Sequence, residues 1–365
     1  MPQGISDRFR AVMRPSAAAL EPYDPAFSQV RVNLSANENT YGMPAEVRAK
    51  VDEALRGVAT NRYPQPLSPD LRAELAAWHG VDPSQVIVGN GGDELIFNLL
   101  LAFGGSGHIL VNCTPTFSVY RLYAELVETE VVDVDRDPVT YEADADALVR
   151  AAADASLVIV TSPNNPTGNL FSVEDTARLC EACPGVVLLD EAYMEFAPEG
   201  SSAEPLLAKY DNLVILHTLS KAYCLAGARI GYLLGCPDVM AAMAAVRQPY
   251  SVNVFSQAAA LVAVRERKTF DPTIEKIVAE RSRLSQGLQE LSGRGVTVWP
   301  SAANFLLVRV PDAHRVRERL RDEYSILVRD FSSAPGLTDC LRVTVGKLEE
   351  NDAFLDALSC LLEEV

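Results

Sequence analysis

Leu213 to Gly235 reads LVILHTLSKAYCLAGARIGYLLG, two apolar runs that enclose a turn with one lysine in it. From Asn212 to Ala228, Lys221 is the only residue with a formal charge at neutral pH. Arg229 follows eight positions later, two turns on if the segment is helical. The flanking runs, LVILH (213–217) and IGYLLG (230–235), are apolar nearly throughout instead of at every second position. That pattern belongs to strands covered on both faces. It recurs upstream in QVIVGN (85–90), HILVN (108–112), LVIVT (157–161) and VVLLD (186–190), with helical patterns at 92–103, 144–153 and 172–183 between several of them. Strand, helix, strand with continuous apolar strands predicts an α/β domain whose mostly parallel sheet is flanked by helices. Ligands then bind at the carboxyl ends of the strands.

Beyond residue 250 the character changes. A long charged helical stretch, 272–293, leads into ANFLLVRV (303–310), a helix near 312–323, SILVRD (325–330), CLRVTVG (340–346) and a final helix. We expect an N-terminal arm over 1–30, a large domain over 31–250 and a smaller C-terminal α+β domain over 251–365. No internal repeat, low-complexity segment or long linker interrupts the chain, so the two domains are expected to pack closely.

The 365 residues, 48% of them hydrophobic, suit a globular protein with a substantial core. A formal net charge of −17 argues against nucleic acid and anionic membrane surfaces, which need a basic patch. An anionic ligand must then be held by a few placed arginines and backbone amides. No apolar run approaches the roughly 18 residues that span a bilayer. Arg8, Arg10 and Arg14 are followed by no apolar core, so the N-terminus is expected to be an arm on a cytosolic protein. Among seven cysteines only Cys180 and Cys183 form a C-x-x-C pair, and they close a helical pattern. A redox pair should open a helix, where the dipole lowers the thiol pKa. A zinc site would need a second pair or nearby histidines. Ordinary reduced cysteines and no metal are expected.

Three polar clusters fall at predicted strand ends: TSPNNPTG (161–168), LLDEAYMEF (188–196) with Asp190 ending a strand, and Ser220–Lys221. A lysine among neutral neighbours loses solvation, which lowers its pKa and makes it nucleophilic toward carbonyls. An aspartate beside a pyridine nitrogen keeps that nitrogen protonated and turns the ring into an electron sink. A phosphate handle needs amides at a helix start plus a cation, and GNGGDE (89–94) with Arg229 offers both. Together these are the parts of a pyridoxal 5'-phosphate site.

With these residues in view, the chain resembles the fold-type-I pyridoxal-phosphate aminotransferases, most closely the histidinol-phosphate aminotransferase family. The likeness runs over nearly the whole length, through PYDP (22–25), LSANENTYG (34–42), NRYPQP (61–66), GNGGDE, PTFSVY (115–120), SPNNPTG, LDEAYMEF, TLSKAYCLAGARIGY, NFLLVR and LRVTVGKLEEN (341–351). The resemblance implies that Lys221 carries the cofactor and moves the proton, and that Asp190 pairs with the pyridine nitrogen. Asn165 and Tyr193 would hydrogen-bond the ring oxygen, and Phe117 would stack on the ring. The amides of Gly92 and Asp93, with Ser220 and Arg229, would bind the cofactor phosphate. Tyr63 would reach that phosphate from a second subunit, making the active unit a homodimer. Arg329 and Arg342 would hold anionic substrate groups, with Tyr23 and Asn37 lining the same pocket. The implied reaction is ping-pong transamination between histidinol phosphate and 2-oxoglutarate, giving imidazole acetol phosphate and glutamate.

Phe117 stands where many relatives carry Tyr, and Thr40 where many carry Pro. Phe still stacks but lacks a hydroxyl to offer a substrate phosphate, so an aromatic amino-acid aminotransferase on the same scaffold stays open. A phosphothreonine decarboxylase fits AYCLAGAR and TVGKLEEN less well. GNGGDE also has the placing of a dinucleotide fingerprint, but its sixth position is Glu94 and no acid lies about 20 residues on for a ribose. A transcription regulator of this fold would need a DNA-binding module ahead of VNLSANEN, where few residues stand, and the acidic charge opposes it.

Overall fold

The computed structural model describes residues 5–18 and 28–363. Twelve strands form among them: β1 (Val32–Leu34), β2 (Val86–Gly89), β3 (Ile109–Thr114), β4 (Glu130–Asp135), β5 (Leu157–Thr161), β6 (Val186–Asp190), β7 (Leu213–Thr218), β8 (Gly231–Gly235), β9 (Thr297–Val298), β10 (Phe305–Arg309), β11 (Ile326–Asp330) and β12 (Cys340–Thr344). They make a seven-stranded sheet in the order β2-β8-β7-β6-β5-β3-β4 and a five-stranded sheet in the order β1-β11-β12-β10-β9.

The unbroken apolar runs are explained by where their side chains go. Successive residues of a strand face opposite sides. In β5, Val158 and Val160 enter one apolar cluster while Leu157 and Ile159 enter another across the sheet. The same split divides Val187 and Leu189 from Val186 and Leu188 in β6, and Leu213 and Ile215 from Val214 and Leu216 in β7. Helix Gly92–Phe103 covers the second face with Leu95, Ile96 and Leu99.

β3 to β7 pair in parallel, but β8 runs against both β7 and β2. Direction is set by the loop at Lys221, which is too short for a crossover helix. The carboxyl ends of β2, β7, β6, β5 and β3, at Gly89, Thr218, Asp190, Thr161 and Thr114, therefore lie along one edge.

The expected start of the large domain at residue 31 does not hold for β1. Val32–Leu34 pairs in parallel with β11, Val32 opposite Ile326 and Leu34 opposite Val328, so it belongs to the C-terminal sheet. Val32 and Leu34 are buried there, and three residues are too few for a period to declare it. Helix Val254–Arg265, from beyond residue 250, packs on helices Ala45–Arg56 and Pro69–His79. One apolar core accordingly runs from β6 and β7 through Phe305, Leu341 and Phe354.

Candidate active site

A cleft of about 270 Å³ opens where the strand ends meet the five-stranded sheet, and Lys221, Asp190, Tyr193, Asn165, Arg229 and Arg342 all line it. The segment carrying Lys221 is not helical. It leaves β7 as a series of bends, with a 3-10 turn only over Ala226–Ala228. Cys224 and Arg229 take positive φ, 57° and 55°, and Leu219 N–H bonds Ile230 O at 3.0 Å. This tight loop, not two helical turns, brings Lys221 and Arg229 to the same cleft. The half-buried Lys221 donates from Nζ to Ala36 O at 2.9 Å. Burial, then the Arg342 guanidinium, lowers its pKa to about 8.

Asp190 ends β6 and is 5% exposed. Its Oδ2 accepts from Tyr120 Oη at 2.6 Å and its Oδ1 from Ala192 N–H at 3.0 Å. Burial pushes the carboxyl up to about 6 even though both hydrogen bonds favour the charged form. Tyr120, fully buried at the start of helix Val119–Leu126, also meets Thr161 Oγ1 at 2.8 Å.

The two arginines of the C-terminal sheet come together. Arg329 and Arg342 are directly opposed on antiparallel β11 and β12, which puts both side chains on one face. Both sit inside their strands. Arg342 donates from Nη1 to Asn165 Oδ1 and from Nη2 to Ser35 O, both at 2.6 Å, between the rings of Phe305 and Phe331. Tyr193 Oη accepts from Asn37 Nδ2 at 3.0 Å, and Asn37 is pinned by Thr344 and Asn304. Phe117 lines the cleft edge-on to Tyr120.

The helix Gly92–Phe103 points its first turn at the cleft. Gly91 at φ +85° allows this: a Cβ there would lie 2.5 Å from Arg229 Nη2. Gly231 serves the same close approach, since a Cβ on it would lie 2.8 Å from Gly92 N. Arg229 pairs with Asp93 at 2.9 Å beside those amides, and Ser220 N–H is held by Thr218 Oγ1.

Tyr63 is not among the residues lining its own chain's cleft. It is 82% exposed and stacks on Tyr250 at 4.7 Å. Tyr23 lies outside the described residues. Sequence reasoning misses Tyr120, although PTFSVY contains it, because a core tyrosine and a carboxylate's partner look alike until the fold sets the distance. It also misses Ser35 and Ala36, which act through backbone carbonyls.

A lysine brought near its neutral form, opposite a buried acid and below two arginines, is the equipment of an enzyme that handles amines and carbonyl compounds bearing anionic groups. The chain belongs to the aminotransferase class I and II family, whose model matches residues 30–358. It is 41% identical to a histidinol-phosphate aminotransferase of Thermococcus gammatolerans, covering 93% of this chain and 94% of that one. The crystal structure of histidinol-phosphate aminotransferase from Sinorhizobium meliloti, in complex with pyridoxal-5'-phosphate, superposes with a TM-score of 0.87 at 26% identity, over 97% of this chain and 98% of that one. L-threonine-O-3-phosphate decarboxylase from Porphyromonas gingivalis shares the fold at TM-score 0.80 and 29% identity, over 91% and 99% of the two chains.

Proposed function

We propose that the protein is a pyridoxal-phosphate-dependent histidinol-phosphate aminotransferase of histidine biosynthesis, transferring the amine between histidinol phosphate and 2-oxoglutarate. The observation that carries it is the opposed pair Arg329 and Arg342 on the same cleft as Lys221 and Asp190. A phosphate in one substrate and carboxylates in the other can use the same guanidinium groups in turn. Its 41% likeness to the Thermococcus enzyme supports the same substrates.

The residues present fit the cofactor. Asp190 is a buried acid with which no lysine or arginine among the described residues pairs, the setting that a ring N–H⁺ would complete. When bound, pyridoxal phosphate supplies the electron sink for breaking a bond at the amine-bearing carbon. Lys221 Nζ is the group that holds it and carries the proton; a pKa of about 8 leaves part of it as free amine near neutrality. Asp190 holds a proton on the ring nitrogen, and Tyr120 holds Asp190. The first turn of helix Gly92–Phe103, Ser220 and Arg229 form the phosphate seat, while Asn165 and Tyr193 orient the ring oxygen. Phe117 covers the ring, and Asn37 lines the substrate pocket.

Tyr63 of a second copy completes the phosphate seat in a homodimer. An exposed aromatic pair, Tyr63 on Tyr250, is a surface that another subunit would cover. Seven unpaired cysteines support a reducing compartment, and we place the enzyme in the cytoplasm. Burial pushes Cys180 up to about 12 and raises Cys183, as in inert core thiols.

Steady-state rates with histidinol phosphate, phenylalanine and tyrosine as amino donors test the substrate. Histidinol phosphate is expected to lead in kcat/KM; comparable rates with the aromatic acids would favour the aromatic reading. Arg329→Lys keeps the charge but loses the forked hydrogen bonds. It should cost histidinol phosphate roughly 1.5–3 kcal/mol more than uncharged histidinol. Equal losses would mean that Arg329 does not read the phosphate. Arg342→Lys should impair both half-reactions.

Tyr120→Phe removes a hydrogen bond that favours ionised Asp190. In the cofactor-free protein its carboxyl should rise above about 6, seen as an upward move of the pH at which apo stability levels off relative to the apo wild type. An unmoved transition would free Asp190 of any dependence on Tyr120.

A further inference from the structure

Asp190 and Thr218 end their strands facing the cleft. The residues next to them, Glu191 and His217, point to the opposite face of the sheet, by the alternation that sorts Leu189 and Ile215 to that side. There His217 meets two side chains from distant segments. His79 comes from the end of helix Pro69–His79, and Glu204 opens a 3-10 turn, Glu204–Ala208. His79 Nδ1 lies 2.8 Å from Glu204 Oε2, and His217 Nε2 lies 3.1 Å from Glu204 Oε1. One ligand-type atom from each residue lies within 4.8 Å of the others. The two imidazole side chains are each 5% exposed and Glu204 is 28% exposed.

We propose that His79, His217 and Glu204 bind a divalent transition ion, of which Zn²⁺ fits best. Two imidazoles and a carboxylate are a zinc donor set, with bonds of about 2.0–2.2 Å. Donors around such an ion stand roughly 3.3–3.5 Å apart. The two imidazole–carboxylate distances here, 2.8 and 3.1 Å, are a few tenths shorter and would open on binding, and the three donors all lie within 4.8 Å of one another. Three further observations point to a cation. His217 Nε2 is buried and lacks the alignment of a hydrogen bond, although it faces Glu204. The other nitrogen of His79 is held by Tyr232 Oη at 2.9 Å, the outer partner that fixes a ligating imidazole.

The third observation is charge. Glu191, buried and 3.9 Å from His217 Nε2, and the half-buried Glu195 stand beside Glu204, and no lysine or arginine among the described residues pairs with any of the three. Glu191 Oε2 accepts from Ser202 Oγ and Oε1 from Ala203 N–H, which aims the carboxyl at the cluster. A dication would be balanced by Glu204 and ionised Glu191, which becomes its fourth ligand or outer neighbour. The ion lies behind the cleft floor and takes no part in transamination; it ties helix Pro69–His79 and the Glu204 turn to β7.

The test uses purified holoenzyme incubated with ZnCl₂, desalted and assayed for metal by mass spectrometry, beside thermal denaturation with and without zinc. One equivalent per chain and a raised melting midpoint are expected in the wild type. His79→Gln, His217→Gln and Glu204→Gln, checked for fold by circular dichroism, should each weaken zinc binding by more than the roughly 10–100-fold that loss of an outer partner costs. Tyr232→Phe should fall in that outer range. A wild type that retains no zinc overturns the site. So does one equivalent that persists in all three glutamine variants, which would put the ion elsewhere, for example on the exposed thiol of Cys360.

Discussion

Lys221→Ala is expected to give a folded protein with no measurable transamination. The loss should exceed the roughly 10²–10⁴-fold that a positioned proton carrier contributes by itself, because attachment of the cofactor goes with it. The wild-type amine is prepared by its surroundings: burial and Arg342 bring it to about 8, and Ala36 O fixes its direction at 2.9 Å. Borohydride reduction of the wild type should fix pyridoxal phosphate to Lys221, and reduction of the variant should fix none. A label on another lysine would move the attachment point. Alanine also removes a cation from beside Arg342, so the variant should fold at least as stably.

Asp190→Asn should slow turnover by at least about 10²–10³-fold, the scale of losing one charge-stabilising group in an active site, while cofactor binding persists. Turnover near the wild-type rate would require another partner for the ring nitrogen. The same substitution carries an opposite signature in the cofactor-free protein. There the carboxyl stands at about 6 against 3.8 in an open chain, a difference worth roughly 3 kcal/mol. Because the folded value is the higher one, the folded state binds the proton more tightly. Its stability therefore falls as pH rises from 3.8 to about 6 and stays lower at pH 7. Apo Asp190→Asn escapes that cost and should melt above the apo wild type at pH 7, with the order reversed once cofactor is bound. An apo variant that melts lower would mean that Tyr120 and Ala192 already satisfy the carboxylate.

Much of this was legible in the residues. β5, β6 and β7 declare themselves because both faces are buried, so their positions are apolar nearly up to the carboxyl end. β4 does not, because EVVDVD lies at the sheet edge with one face toward solvent, and its acids read as loop. The reversal of β8 is invisible to periodicity, which carries no direction. At the site, Lys221, Asp190 and Arg229 are legible from their places beside apolar runs, and Asn165, Tyr193 and Arg342 from the family resemblance; all six line one cleft. Tyr120 is hidden because its role rests on a 2.6 Å distance between residues 70 positions apart. His79, Glu204 and His217 are hidden for the same reason, being histidines and an acid with no spacing to betray them.

The placement of β1 also bears on how the protein is made. Val32 and its partner Ile326 are 294 positions apart, so at usual rates of translation roughly 15–60 s separate their synthesis. Throughout that interval the first strand has been made and its neighbour has not. Ser35, Ala36 and Asn37, which follow directly, have their contacts with Arg342, Lys221 and Tyr193 only once β1 is docked. A ribosome-bound chain can thus complete the seven-stranded sheet, ending at Gly235, and still lack the wall that aims its lysine. Catalytic competence therefore waits on β11 and β12, and a copy truncated before them is expected to stay chemically silent.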